Sequence, residues 1–363
     1  MDNPPAAPAL SKRAELILKL AMALLGPLLM LALLEGVAFV WERGQANGPF
    51  AWELVASRRI ELVEYPQPGA GYTLMKPNRH YEWGGIPVDI NAHGLRGPET
   101  GFDKPDGVYR ILNLGDSVAM GWGVRVEETY GQQLAQQLNA EATGTRYEVI
   151  NAGVPGWNLE NELAYLQAEG LKYQPDLIVL DVTVVNDIYG KSALVAHKRP
   201  PLIEWLRAHT YFWPFLSVQL RWAQARAQGR ERIDVIDPPY EADKYFPLQE
   251  TAPRWNAIWG EIEAMNRLAQ ENGAQFVLLL FPLEYQVLDE TYPTTPQKVL
   301  SARAAEAGIP ALDLLPAFRE ACLHKPGVPC TLEDHYLFAD VWMHPSPLGH
   351  RLAMEALHKT FIP

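Results

Sequence analysis

The sequence predicts an α/β fold: a three-layer α/β/α domain on a flavodoxin-like parallel sheet of about five strands, in the order 2-1-3-4-5, preceded by one transmembrane helix. Two observations predict the sheet. From residue 106 onward, short continuous apolar runs alternate with helical segments, and runs of that kind suit strands covered on both faces. Such alternation gives a parallel sheet with right-handed crossovers. A third observation predicts the helix: residues 16–40 are dominated by Leu, Ala, Met and Val, with only Lys19 and Glu35 charged.

That apolar stretch is long enough to cross a bilayer. Lys12, Arg13 and Lys19 lie on its leading side, so the positive-inside tendency assigns residues 1–13 to a cytoplasmic tail, 14–41 to the anchor and the remainder to the outside. A cleaved signal peptide is the alternative, but no small-x-small cleavage pattern stands out after Leu34. Glu35 sits near the outer end, where its carboxylate reaches headgroups or meets another helix, and Pro27 is compatible with a kinked helix. Residues 42–105 are rich in Pro, Gly and aromatics and read as a juxtamembrane stalk or flap. The expected strands are Tyr109–Leu114, Tyr147–Ile150, Leu177–Val185, Gln275–Phe281 and Pro310–Leu314. Between them the pattern predicts helices over Thr129–Leu138, Leu159–Glu169, Arg254–Asn272 and Pro296–Ala307, with a last one from about Pro347 to His358. An insertion at about 190–252 breaks the rhythm with Trp205, Tyr211, Phe212, Trp213, Phe215 and Trp222. Its aromatics fit a pocket wall, a membrane contact or the small core of a helical cap.

The 363 residues carry a net charge of −12, which argues against a nucleic-acid partner. Oligomeric state leaves no trace in the sequence. In an oxidising compartment the only cysteines, Cys322 and Cys330, are expected to pair as a disulfide across a short loop. Zinc is the poorer reading, since His324 alone supplies no further ligand at metal spacing; no metal or organic cofactor is expected.

The chemistry lies in four small motifs: Gly115-Asp116-Ser117, Asn151-Ala152-Gly153-Val154-Pro155-Gly156, Asn186-Asp187, and His344-Pro345-Ser346-Pro347-Leu348-Gly349-His350. The first three follow predicted strands, so a parallel sheet brings Ser117, Gly156 and Asn186 to one edge, where α/β folds bind ligands. A serine hydroxyl is a poor nucleophile unless a base takes its proton. His344 is the candidate base, while His350, further along the last helix, packs or caps.

In this order the four motifs resemble the GDSL-type, or SGNH, hydrolase superfamily, in its membrane-anchored bacterial form. The resemblance implies a serine esterase with Ser117 as nucleophile, His344 as base and Asp340 as the carboxylate orienting it. It also implies an oxyanion hole made of the Ser117 and Gly156 backbone N–H groups and the Asn186 side-chain amide. The substrate class implied is an O-acylated, above all O-acetylated, glycan or similar ester. An O-acetyltransferase with the same triad and a catalytically silent binding module tethered to the membrane are the alternatives. The stretch Asn91–Glu99 resembles a segment upstream of the core in membrane-anchored members, with Arg96 either facing the cleft or tying the flap to the core. Two departures from the pattern stand out. Val184 occupies a position where glycine is common, and three residues rather than two separate Asp340 from His344, which leaves Asp334 as a second candidate for the orienting role.

Overall fold

A computed structural model describes residues 11–44, 62–64, 71–83, 86–184, 186–189, 201–227, 242–244, 246–325, 327, 330, 336–339 and 343–361. The chain opens with α1 (Lys12–Gly44), unbroken across Pro27. Among the described residues it is the one helix long and apolar enough to cross a membrane, and Leu24, Leu29 and Leu33 on its sides are exposed.

The residues expected to form a stalk or flap hold two antiparallel pairs, β1 (Leu62–Glu64) with β2 (Thr73–Met75) and β3 (Arg79–Trp83) with β4 (Ile86–Ile90). Tyr72, Leu74, Met75, Val88, Ile90 and Leu95 enter the same buried core as the sheet.

The central sheet consists of β5 (Val108–Gly115), β6 (Arg146–Gly153), β7 (Leu177–Thr183), β8 (Gln275–Phe281) and β9 (Ala311–Asp313). Their order is β6-β5-β7-β8-β9 and every pairing is parallel, which is the expected 2-1-3-4-5. The central strand β7 is buried along its whole length. Right-handed crossovers that leave β5 in one direction and return past it in the other put successive helices on opposite faces. Thus α3 (Tyr130–Glu141) covers one face and α4 (Leu159–Ala168) the other. A side chain starts each: Thr129 Oγ1 accepts from Gln132 N at 3.5 Å, and Asn158 Oδ1 accepts from Asn161 N at 3.1 Å, satisfying N–H groups that a first turn leaves free. The remaining crossover helices are α8 (Arg254–Glu271) and α10 (Thr295–Ala307), with α9 (Glu284–Leu288) and α11 (Leu315–Leu323) as shorter pieces. The last helix, α12 (Pro347–Phe361), packs on α3, and α8 packs on α4.

Short helices α2 (Ser117–Met120) and α5 (Asn186–Tyr189) follow β5 and β7. The insertion contributes α6 (Pro201–His209) and α7 (Phe212–Ala227), and α7 packs on α1. Glu35 does not reach outward as expected: its carboxylate accepts hydrogen bonds from Tyr211 N at 3.0 Å and Phe212 N at 2.5 Å. An anionic group at the first N–H groups of a helix meets the positive end of its dipole.

Arg96 ties the flap to the core. Its guanidinium, 1% exposed, donates to the carbonyls of Gly121 at 2.5 Å, Val124 at 2.8 Å, Pro87 at 3.1 Å and Met120 at 3.3 Å. Burial lowers its pKa to about 10, so it stays charged at neutral pH. Truncation would leave these buried acceptors unpaired, at roughly 1–3 kcal/mol each. We expect Arg96→Ala to lower the unfolding free energy of the full chain by more than about 3 kcal/mol, read by urea titration in detergent; a change within about 0.5 kcal/mol, the usual surface effect, would contradict the clamp.

Candidate active site

Strand β5 ends on Gly115, and the chain turns at Asp116 into α2, whose first residue is Ser117. Asp116 Oδ1 accepts from Val118 N at 2.7 Å, holding the turn in shape. Two glycines let this turn press against its neighbours. A Cβ on Gly115 would lie 2.8 Å from the Asp181 Cβ, and one on Gly153 would lie 2.2 Å from Met120 N; real Cβ atoms do not approach so closely.

His344 arrives from the far end of the chain. Its carbonyl accepts from Ala339 N at 2.7 Å, and Ser346 N donates to Leu337 O at 2.8 Å, so the segment before α12 is pinned on both sides of the histidine. The imidazole Nε2 lies 2.8 Å from Ser117 Oγ across 227 positions of sequence. Both residues are buried, Ser117 6% and His344 3% exposed. Trp122 stacks on the imidazole with ring centroids 5.7 Å apart and 24° between the planes. A serine oxygen held against an imidazole nitrogen at hydrogen-bond distance can pass its proton to that nitrogen.

Gly156 lies in the turn after β6 with φ +75°, a left-handed conformation that glycine adopts without strain. Asn186 begins α5, immediately beyond the end of β7. The structure therefore brings Ser117 and His344 into contact and sets Gly156 and Asn186 just past the ends of β6 and β7, the strands on either side of β5. Asp340 and Asp334 lie outside the described residues. His350 packs and caps: its ring stacks on Tyr130, and Nδ1 accepts from Tyr130 N at 3.3 Å, at the start of α3. Burial first, then Arg96 and His344, push its pKa down to about 3, which keeps the imidazole neutral and able to accept.

Cys322 and Cys330, expected to pair as a disulfide, are both thiols in this structure. They stand side by side, and burial, followed by the adjacent Cys322, raises the Cys330 pKa to about 12.

A group of buried carboxyls beneath the Ser117 turn was missed in the sequence. Asp116 Oδ1 accepts from Thr183 Oγ1 at 3.3 Å, and Asp187 Oδ2 accepts from Thr183 N at 2.6 Å. Glu162 and Asp181 are fully buried beside them. Burial, then the charge of Asp116, raises the pKa of both. Asp187 is raised as well, by burial first and then by Glu162, so the cluster keeps protons that isolated carboxyls would release. The available signal was a charged residue in an apolar position: Asp181 in the otherwise apolar Leu177–Thr183, and Glu162 on the helix face that Leu159, Tyr165 and Leu166 bury. Trp122, five positions beyond Ser117, was the other omission.

This flavodoxin-like sheet and this serine–histidine contact are those of a serine hydrolase. The chain belongs to the GDSL-like lipase/acylhydrolase family, whose model matches residues 114–352, and it is an enzyme acting on ester bonds. No curated protein matches the chain closely enough to stand as a relative. Among solved structures it is similar to a member of the lipolytic G-D-S-L family from Veillonella parvula, at 14% identity over 70% of this chain and 98% of that one, with a TM-score of 0.41. An acetyl xylan esterase, AlAXEase, is similar at 17% identity over 70% and 100%, with a TM-score of 0.45. A variant of an acetyl-xylooligosaccharide esterase from Geobacillus stearothermophilus is similar at 17% over 69% and 93%, with a TM-score of 0.42.

The raised carboxyls give a pH dependence of known sign. Between the ordinary carboxylate range and the raised pKa of Glu162, the folded chain keeps a proton that the unfolded chain releases. Stability therefore falls as pH rises through that interval. Glu162→Gln removes the titration and keeps the shape, so unfolding free energies measured from pH 4 to 8 should fall less steeply than in the parent; parallel curves would mean that Glu162 does not hold the proton.

Proposed function

We propose that Ser117 is the nucleophile of an ester hydrolase, His344 its general base and acid, Asp340 the carboxylate on His344, and that the enzyme removes small acyl groups, acetyl above all, from a glycan. The observation that carries this is the 2.8 Å contact between Ser117 Oγ and His344 Nε2. Ser117 Oγ attacks the carbonyl carbon of the ester as its proton passes to His344 Nε2. The tetrahedral oxyanion is stabilised by the Ser117 and Gly156 N–H groups and the Asn186 amide. When it collapses, the sugar oxygen departs with the proton held on His344. Water, deprotonated by the same imidazole, then hydrolyses the acyl-serine and releases the carboxylic acid.

Support for a small acyl group comes from the enclosure of the serine and from Trp122 stacked beside the base. A glycan at the cell surface fits the proposed location. We read α1 as an uncleaved anchor in a bacterial inner membrane, with residues 1–13 cytoplasmic and the enzyme domain outside. Lys12, Arg13 and Lys19 at its leading side support that orientation. The contacts of Glu35 with Tyr211 and Phe212 support retention, because cleavage would discard a helix on which the domain packs.

Ser117→Ala should lower turnover of a soluble acetyl ester by about a million-fold and abolish labelling by a fluorophosphonate, with circular dichroism unchanged. Retained turnover would remove the role. For the third member, Asp340→Asn should cut kcat by about 10⁴-fold with little change in KM, as loss of an orienting carboxylate does, and Asp334→Asn should leave it near normal. The opposite result would transfer the role to Asp334, and near-normal rates in both would indicate a Ser–His dyad.

A further inference from the structure

Helices α6 and α7 are joined to the Trp41 end of α1, and three features of that junction have no part in ester chemistry. The first is how firmly it is built. Glu35 bonds Tyr211 N and Phe212 N, Phe39 packs edge-on to Tyr211 and Trp41 edge-on to Phe215, each at 5.0 Å between ring centroids. Ala38, on the same face of α1, is completely buried. The second is what α6 leaves uncovered. Leu202 is 65% and Trp205 54% exposed, and with the exposed His209 stacked on Trp205 they form one stripe at helical spacing. The third is charge. In a chain of net charge −12, residues 201–227 hold Arg207, Arg221 and Arg226 against Glu204 alone.

We propose that the α6–α7 pair is a membrane-interface element, lying in the headgroup layer of the leaflet that the Trp41 end of α1 enters, with the Leu202–Trp205 stripe turned into lipid. The proposal rests on α1 being a membrane anchor. Continuity with α1 fixes the occupant. A helix pair packed on the end of a membrane-crossing helix is held at the level of the bilayer surface, where tryptophan and tyrosine accumulate and where basic amphipathic segments meet anionic headgroups. An apolar groove of about 530 Å³ on α1, lined by Gly36, Val37, Val40 and Trp41 among others, lies at the same level and offers further contact to acyl chains. A partner protein would satisfy the stripe but not the excess positive charge beside a bilayer.

The test uses the full chain in vesicles of phosphatidylcholine and phosphatidylglycerol, with environment-sensitive fluorophores on single cysteines in a Cys322→Ser, Cys330→Ser background. Leu202→Cys is the probe of the inference, Leu29→Cys the probe of the anchor, and Glu263→Cys on the exposed side of α8 the aqueous control. Emission from position 202 should be blue-shifted and quenched by lipids brominated near the headgroup, position 29 by lipids brominated deep in the acyl chain, and position 263 by neither. Quenching at 29 without quenching at 202 would overturn the interface element and leave the anchor standing. An unquenched label at 29 would overturn both. A second measurement needs no cysteine replacement: shallow brominated lipid should quench the parent's tryptophan emission more than that of Trp205→Phe. Equal quenching in the two would count against the proposal.

Discussion

The site depends on a close approach. For a serine at the end of β5 to meet its histidine while its helix stays packed, the turn around Asp116 must sit directly on the ends of β6 and β7. The hydrogens of Gly115 and Gly153 allow this, since side-chain carbon at either place would collide with Asp181 or with Met120 N. Ser117 therefore occupies a fixed position at the sheet edge, and the rest of the molecule brings partners to it.

Those partners arrive from distant parts of the chain and are each held by the backbone. His344 is pinned through Ala339 and Ser346, and two turns later His350 locks the final helix to the first turn of α3. The C-terminal segment that delivers the imidazole is thus attached to the helix that follows the nucleophile. Rigid support on both sides of a 2.8 Å contact is what a proton-transfer pair requires, because small errors in position cost large factors in rate.

The sheet was legible because its strands are continuous apolar runs, and the serine and histidine because each stands in a short motif at an element boundary. Other features depend on contacts that a linear pattern does not encode. Arg96 had two readings until its guanidinium was seen to bond four carbonyls, and Glu35 looked like a headgroup ligand because its partners stand some 176 positions away. Asp181 and Glu162 stand at apolar positions of their elements, which marks them for burial, but only the packed structure shows that they lie together beneath the Ser117 turn.

The Arg96 clamp also sets where the cooperative unit begins. The family match starts at residue 114, and a truncation chosen on that boundary would look complete by homology. Yet Tyr72, Leu74, Met75, Val88, Ile90 and Leu95 belong to the common core, and the carbonyls around the Gly121 turn take their donor from upstream of the match. Shortening the chain to the recognisable family segment would strip one wall of the core and leave the loop after the nucleophile with unpaired acceptors. The upstream hairpins are an architectural part of the enzyme rather than a tether to it.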